Sequence, residues 1–353
     1  MKKLRVVLAC STKDGLKREF AERIGVEEND DEPPPDFFAE GDDYETIDAV
    51  SNAIKEGGHE VEVLEGNTEF PSALIESKPD IVFNIAEGLF GDLRESFVPM
   101  ICERMGMPFT GSGSLTLALS LNKSRTKEIL SYYDIPVSRF KTFSSPKGIF
   151  SGLKFPLMVK PVSEGSSKGI FEDSFVENEL QARKIIKKSI KKYGQSVIVE
   201  EFLPGDEFTL AVWGNGNETE VLPPVGIKLD SLPPGSKGIY SYEAKWLWDT
   251  KDKPLNIFEC PANISKSIRK KMEDTAKKAF MCLDIKDWCR IDFRLDKKGI
   301  PNIIEINPLP GILPKPEENS CFPKAARAAG LSYVEMINKV LGFACRRDRK
   351  SVV

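Results

Sequence analysis

Apolar positions along the chain come in short runs whose spacing changes with the element they predict. Residues 4–10 are nearly unbroken apolar, the pattern of a strand covered on both faces, and 44–56 repeats at helical spacing until Gly57-Gly58 stops it. Residues 59–64 then alternate polar and apolar as a strand does, and 80–84 is a further short apolar strand. Strand, helix, strand, helix, strand predicts an open parallel α/β domain over roughly the first 110 residues. Within it lies an acidic stretch, 27–43, with prolines at 33, 34 and 35, which reads as a loop or flap. The turn-rich Thr110-Gly111-Ser112-Gly113-Ser114 marks the domain boundary.

Beyond that boundary the pattern predicts a helix over 115–134 ended by Pro136, strands over 137–143 and 156–162 around a polar turn, and a basic helix near 175–193. A β-branched strand over 196–202, a strand over 207–213, a long loop over 223–250 and a helix over 262–284 follow. A strongly patterned hairpin over 288–307 and a last helix from Ser332 complete the chain, and no internal repeat occurs. The fold class is α/β, passing to α+β in the C-terminal part.

Composition narrows the chemistry. Lys+Arg of 50 against Asp+Glu of 54 leaves a net charge of -4 with no long charged block, which excludes nucleic acid as a partner. The single histidine, His59, excludes His-clustered metal sites and mechanisms that need two imidazoles, so the chemistry falls to carboxylates, amines and hydroxyls. Seven scattered cysteines without a C-x-x-C pair fit reduced thiols and a cytoplasmic location. No apolar run approaches the roughly 20 residues of a membrane span, and residues 6–10 read as a first strand, too short for a signal peptide.

The hairpin is the most informative segment. With its loop at 297–300, antiparallel register pairs residues whose numbers sum to 597, so Arg290 faces Asn307 and Asp292 faces Glu305. Period-two alternation puts these four groups on one face and Ile291, Phe293, Ile304 and Ile306 on the other. Two opposed carboxylates repel, which calls for a cation between them. Two carboxylates and an amide oxygen are hard donors that suit magnesium shared with nucleotide phosphates. Arg290 neutralising Asp292 on a solvated strand face is the alternative. A second segment, Pro161-Val162-Ser163-Glu164-Gly165-Ser166-Ser167-Lys168-Gly169, follows a strand that ends in Lys160. Its backbone N–H groups can fold over phosphates with the lysine as a point charge, or it is simply a flexible turn. Neither G-x-x-x-x-G-K-[ST] nor G-x-G-x-x-G occurs.

In combination these segments resemble the ATP-grasp superfamily and, within it, the D-alanine-D-alanine ligases. The resemblance rests on Thr110-Gly111-Ser112-Gly113, Asn122-Lys123-Ser124-Arg125-Thr126-Lys127, Val159-Lys160-Pro161 with Glu164-Gly165-Ser166-Ser167-x-Gly169, and Glu200-Glu201-Phe202-Leu203-Pro204-Gly205-x-Glu207-Phe208-Thr209. Tyr242-Glu243-Ala244-Lys245, Arg290-Ile291-Asp292 and Glu305-Ile306-Asn307-x-x-Pro310-Gly311 continue it in order. The resemblance implies three domains, an N-terminal substrate domain over 1–112 and ATP-grasp subdomains over 113–202 and 203–353, with ATP held between the last two.

Residue by residue, the resemblance implies that Lys123 and Lys160 bind ATP phosphates, with Glu164 and Ser167 as further nucleotide-binding positions. Glu200, Glu201, Phe202 and Leu203 would form the hinge that reads adenine, and Glu207 would take the ribose hydroxyls. Lys245, on a closing loop, would touch phosphate. Asp292, Glu305 and Asn307 would hold two magnesium ions, which manganese can replace. Arg290 and the backbone near Gly311 would stabilise a tetrahedral intermediate, while Ser166 and Ser320 bind substrate. The implied reaction is an ATP-dependent carboxylate-amine ligation between two small amino acids, D-alanine first in line, through an acyl phosphate, by a homodimer formed through the first domain. A sibling ligase acting on another amino acid or peptide, a catalytically silent ATP-binding regulator and a kinase on the same scaffold are the alternatives.

Departures from the family pattern fall in the amino-acid half. The family's first loop is a glycine-rich turn followed by a glutamate that anchors an amino group; here Cys10-Ser11-Thr12-Lys13-Asp14-Gly15 precedes the acidic insertion. Sliding the following helices into register makes Glu40 the expected replacement, with an ordinary surface loop as the other reading. Trp246 stands where many of these ligases have a tyrosine bonded to the substrate-loop serine, and an indole cannot accept a hydrogen bond. The segment between Gly311 and Pro323 is longer than the family's, and Asn84-Ile85-Ala86-Glu87-Gly88 replaces its His-Gly stretch.

Overall fold

The computed structural model describes residues 2–24, 33, 36–249 and 255–351, so 27–32, 34 and 35 of the acidic stretch lie outside the described residues. The chain opens with β1 (Arg5–Cys10), α1 (Lys13–Ile24), α2 (Tyr44–Glu56), β2 (Glu60–Glu65), α3 (Phe70–Ser77), β3 (Ile81–Asn84) and α4 (Phe97–Met105). The strands pair in parallel in the order β2-β1-β3, the open sheet that the apolar pattern predicts. Helix α3 is the second helix of the predicted alternation, whereas α1 and α4 carry no assignment from the sequence pattern; among the described side chains of α1 only Leu16 is a buried hydrophobic residue, too little to show a stripe. His59 is structural, accepting the Leu4 N–H on Nδ1 at 3.2 Å.

The helix expected over 115–134 is two, α5 (Ser114–Leu121) and α6 (Lys123–Tyr132). Asn122 between them is extended (φ -86°, ψ 97°), and its side chain caps α6 by accepting the Arg125 N–H at 3.1 Å. An Asn that can satisfy an orphan N–H favours restarting the helix over continuing it, and the restart sets Lys123 at the first helical position. Strands β4 (Phe140–Phe143), β5 (Leu157–Pro161), β6 (Phe175–Val176) and β7 (Val197–Glu201), with α7 (Glu179–Tyr193), make an antiparallel sheet ordered β4-β7-β5-β6. The basic helix begins at Glu179 rather than 175 because Asn178 caps it, accepting from Gln181 N at 3.0 Å, and Phe175–Val176 joins the sheet edge.

A second antiparallel sheet contains β8 (Glu207–Gly214), β9 (Glu220–Val221), β10 (Val225–Ile227), β11 (Phe258–Glu259), β12 (Asp287–Leu295) and β13 (Pro301–Asn307). Helices α8 (Lys266–Cys282), α9 (Cys321–Ala328) and α10 (Tyr333–Ser351) complete it. The expected loop over 223–250 contains β10 and a six-residue π-helical segment, Glu243–Trp248. In the hairpin Arg290 faces Asn307 and Asp292 faces Glu305, as the register arithmetic requires, but the register then shifts and Phe293 pairs with Ile303. This β-bulge reverses the alternation: Ile303 is 1% exposed in the core, whereas Ile304, expected on the core face, turns into the cleft.

The first and last parts of the chain share one core. Val6 and Leu8 of β1 and Val50 and Ile54 of α2 pack in one cluster with Trp213, Trp288, Phe322 and the Val340-Leu341 face of α10. Asn338 Nδ2 also donates to the Ala53 carbonyl at 2.7 Å. Each large side chain buried there contributes about 1.5–3 kcal/mol. No helix among the described residues is long and apolar enough to cross a membrane.

Candidate active site

Strands β5 and β7 of one antiparallel sheet face β8, β12 and β13 of the other across a cavity of about 1080 Å³ that continues to the start of α2 and to 311–321. Every residue named above as a nucleotide, metal, catalytic or substrate position lines it except Glu164 and Asn307.

At one end the charged groups lock one another. Glu200 is buried, with Lys160 Nζ at 2.5 Å, Lys127 Nζ at 2.7 Å and the Ser138 hydroxyl donating at 2.8 Å. Burial alone raises its pKa, but the two ammonium groups outweigh this and hold it well below the usual carboxylate range. The Glu200 carboxylate is therefore a fixed counter-ion that aims Lys160 at the cavity. Glu201 accepts the Lys154 N–H at 3.0 Å, and the Phe202 ring carries the Arg294 guanidinium 4.6 Å from its centroid. Arg294 also pairs with Glu207 at 3.1 Å.

The hairpin face is similarly ordered. Arg290 Nη2 lies 3.0 Å from Asp292 and 3.7 Å from Glu305, Lys123 Nζ lies 2.9 Å from Glu305, and the Thr209 hydroxyl donates to Asp292 at 2.7 Å. Burial raises the Glu305 pKa, and Lys123 and Arg290 more than reverse it. Arg290 thus satisfies both opposed carboxylates here. Both carboxylates line the cavity, and an all-oxygen donor set fits a hard divalent cation. Asn307 stands at the strand end, where its Oδ1 accepts the Leu309 N–H at 3.0 Å. Lys245 rests 5.1 Å from the Trp246 ring centroid, its pKa lowered by burial and by Arg290.

In the remaining part the Gly/Ser loop is strapped down. Ser166 and Ser167 both have positive φ (48° and 61°), costly for non-glycine residues, and Gly169 (φ 73°) leaves no room for a Cβ, which would meet Pro161 Cγ at 2.4 Å. Glu40 accepts the Gly165 N–H at 2.7 Å, and Asp36 accepts the Gly169 N–H at 2.8 Å and the Tyr193 hydroxyl at 2.7 Å. The other contacts of Glu40 are Arg94 at 3.2 Å and Lys168 at 3.0 Å, with all three side chains buried. The oxygens of Glu40, the expected amino-group anchor, are thus engaged by Arg94, Lys168 and the Gly165 N–H. Glu164, outside the cavity lining, pairs with Lys168 at 2.7 Å and Arg94 at 3.4 Å. Trp246 donates its indole N–H to the Ser166 carbonyl at 3.3 Å, so the latch runs through backbone where a tyrosine was expected to use the serine. Ser320 donates to the Gly311 carbonyl at 2.6 Å and accepts the Leu313 N–H at 3.2 Å. The longer 312–322 segment joins the rest through Lys315 with Glu45 and Asn319 with Asp249.

Sequence reasoning missed Arg94, Lys168, Lys127, Arg294 and Asp36. Lys127 carried the one available signal, lying one helical turn after Lys123 on the same face.

Residues 130–342 match the family model described as D-ala D-ala ligase C-terminus. The D-alanine-D-alanine ligase of Aquifex aeolicus is 33% identical over 296 residues, covering 83% of this chain and 92% of the relative. The chain belongs to the D-alanine-D-alanine ligase family. Another relative, the uncharacterized protein y4sG of Sinorhizobium fredii, is 32% identical over 322 residues, 89% of this chain and 90% of its own. The crystal structure of the Bacillus anthracis D-alanine-D-alanine ligase complexed with ATP superposes with a TM-score of 0.69 at 17% identity over 99% of both chains, which shows the ATP-grasp fold. As a member of the D-alanine-D-alanine ligase family the protein is an ATP-dependent ligase that uses a divalent metal.

Proposed function

We propose that the protein forms an amide bond between two small amino acids, with D-alanine as the first candidate, through an acyl phosphate. The observation that carries this reading is the convergence of Lys123, Lys160, Lys245 and Arg290 with Asp292 and Glu305 on one cavity. The substrate carboxylate attacks the γ-phosphorus of ATP and ADP departs; the amine of the second substrate then attacks the acyl carbon, the C–O bond to phosphate breaks, and phosphate and a proton leave. Lys123 and Lys160 hold phosphate oxygens, with Lys160 aimed by Glu200, and the hinge 200–203 and Glu207 take adenine and ribose. Arg290, Lys245 and the backbone near Gly311 face the charge that develops at the acyl oxygen, where one such preorganised donor is typically worth about 10²–10³ in rate. Asp292 and Glu305, with Asn307, would hold two magnesium ions, which supply charge neutralisation at the phosphates when bound. Ser166 and Ser320 bind substrate.

A cytoplasmic setting is supported by the free thiols of Cys10, Cys102, Cys260, Cys282, Cys289 and Cys321. A homodimer through the first domain is supported by Ile75, Met100 and Met105, which α3 and α4 leave exposed. The test is incubation with ATP, magnesium and a panel of D- and L-amino acids, followed by phosphate assay and mass spectrometry. Phosphate release with a dipeptide product is expected; ATP binding without release on any panel member, or a phosphorylated product without an amide, overturns the proposal.

A further inference from the structure

Three carboxylates meet at the wall between the turn after β3 and residues 36–43. One oxygen from each of Glu40, Glu87 and Glu95 lies within 4.8 Å of the other two. Glu40 takes the available cations, Arg94 and Lys168, together with the Gly165 N–H. Among the described residues neither Glu87 nor Glu95 accepts a hydrogen bond or makes an ion pair. Arg94, its side chain 4% exposed, turns two nitrogens away to Glu40, Glu164 and the Ser163 carbonyl and leaves its buried Nε unpartnered.

Glu95 is 9% exposed, and Glu87 is half-buried and opens into the substrate cavity. The turn that sets Glu87 there depends on Gly88 (φ 71°), where a Cβ would come within 3.0 Å of the Arg94 carbonyl. The charged groups facing Glu87 are Glu40 and Asp42 from 36–43, Glu95 and Arg94 from its own turn, and Lys245 from the π-helical segment. Burial first, then Glu40, Glu95 and Asp42, push the Glu87 carboxyl well above the usual range, and Glu95 is pushed up to about 7. Neither carboxylate of this wall is paired with a cation: Arg94 is held by Glu40 and Glu164, and Lys245 faces Glu87 without forming an ion pair to it.

We propose that Glu87, backed by Glu95, receives the cationic nitrogen of the amino substrate, and that this subsite fills by exchanging a bound proton for the ammonium. The proposal rests on the ligase reading for what enters the cavity, and on the spent oxygens of Glu40 for which carboxylate is left to meet it. In the empty site the carboxyl keeps a proton because burial and the neighbouring acids outweigh Arg94 and no cation pairs with it. An arriving ammonium stabilises the charge, and the proton leaves to solvent. By linkage, affinity rises tenfold per pH unit up to the pKa of the free carboxyl and is flat above it.

The test is calorimetric titration of the full chain, with ATP analogue and magnesium present, with D-alanine and with D-lactate as the isostere lacking an ammonium. Running it from pH 5.5 to 8.5 in two buffers of different ionisation enthalpy counts the protons released. The wild-type chain is expected to release up to one proton per D-alanine and to bind D-lactate at least tenfold more weakly. Glu87→Gln is expected to bind D-alanine at least tenfold more weakly, with no proton release and no pH slope, while ATP affinity stays within twofold. Glu87→Asp is expected to restore the proton release. Wild-type binding without proton release, a Glu87→Gln variant that still releases the proton, or release of the proton by magnesium or manganese alone each overturns the proposal, the last by making the cluster a metal site. Phosphate release on the amino-acid panel separates the two readings: turnover without proton exchange sinks the subsite and leaves the ligase, and proton exchange without turnover does the reverse.

Discussion

Replacing Glu40 with glutamine removes one charge from a buried ion cluster, that of Glu40 with Arg94 and Lys168. Burial raises the Glu40 pKa, but Arg94 and Lys168 reverse that and hold it at about 2, against an ordinary 4.5. At 1.36 kcal/mol per pKa unit, the charged carboxylate contributes on the order of 3 kcal/mol at neutral pH. Removing one partner of a buried pair typically costs about 3–5 kcal/mol, and because Arg94 and Lys168 keep Glu164, the lower end applies. The sign follows from the lowered pKa: the contribution is complete above the unfolded value near 4.5 and is lost as pH falls through about 2. Thermal unfolding of Glu40→Gln at pH 7 is therefore expected at a Tm about 4 °C below wild type, with the gap closing in acid. Loss of the charged acceptor on Gly165 N also loosens the loop beside Lys160, so KM for ATP rises by more than KM for the amino substrate. An unchanged Tm refutes the reasoning, and a rise confined to the amino-substrate KM returns Glu40 to the substrate-anchoring role that its engaged oxygens argue against.

Asp292→Asn and Glu305→Gln are each expected to abolish phosphate release while the far-UV circular dichroism spectrum and the order of unfolding are retained; either variant at wild-type rate would remove the hairpin from the metal site. Trp246→Phe keeps the ring beside Lys245 and loses only the bond to the Ser166 carbonyl, worth about 0.5–1.5 kcal/mol, so kcat/KM should fall roughly 2- to 12-fold. A larger loss would mean that the indole contacts substrate. Lys127→Met leaves Glu200 with Lys160 as its one ammonium; KM for ATP should rise, with the largest effect at low pH, where the less stabilised carboxylate takes a proton. A pH-independent change would assign Lys127 a packing role.

The hairpin register was legible because two constraints, side-chain period and turn position, act within one short segment. The bulge was not, because whether Ile303 or Ile304 enters the core is decided by the packing of Phe293 and by Leu130 and Ile135 from a distant part of the chain. The same distinction separates the phosphate half of the site from the rest. Lys123, Lys160, Asp292 and Glu305 sit on elements with readable periodicity, whereas the partners of the acidic stretch are 54 residues away for Glu40 with Arg94, 128 for Glu40 with Lys168 and 133 for Asp36 with Gly169. Glu40 and Glu87 are alike in sequence as acids in turn-rich segments. They differ in how many cations the fold pairs with them: Glu40, paired with Arg94 and Lys168, becomes a strap for the Gly/Ser loop, while Glu87, faced by Arg94 and Lys245 but paired with neither, keeps its proton until a cationic substrate replaces it.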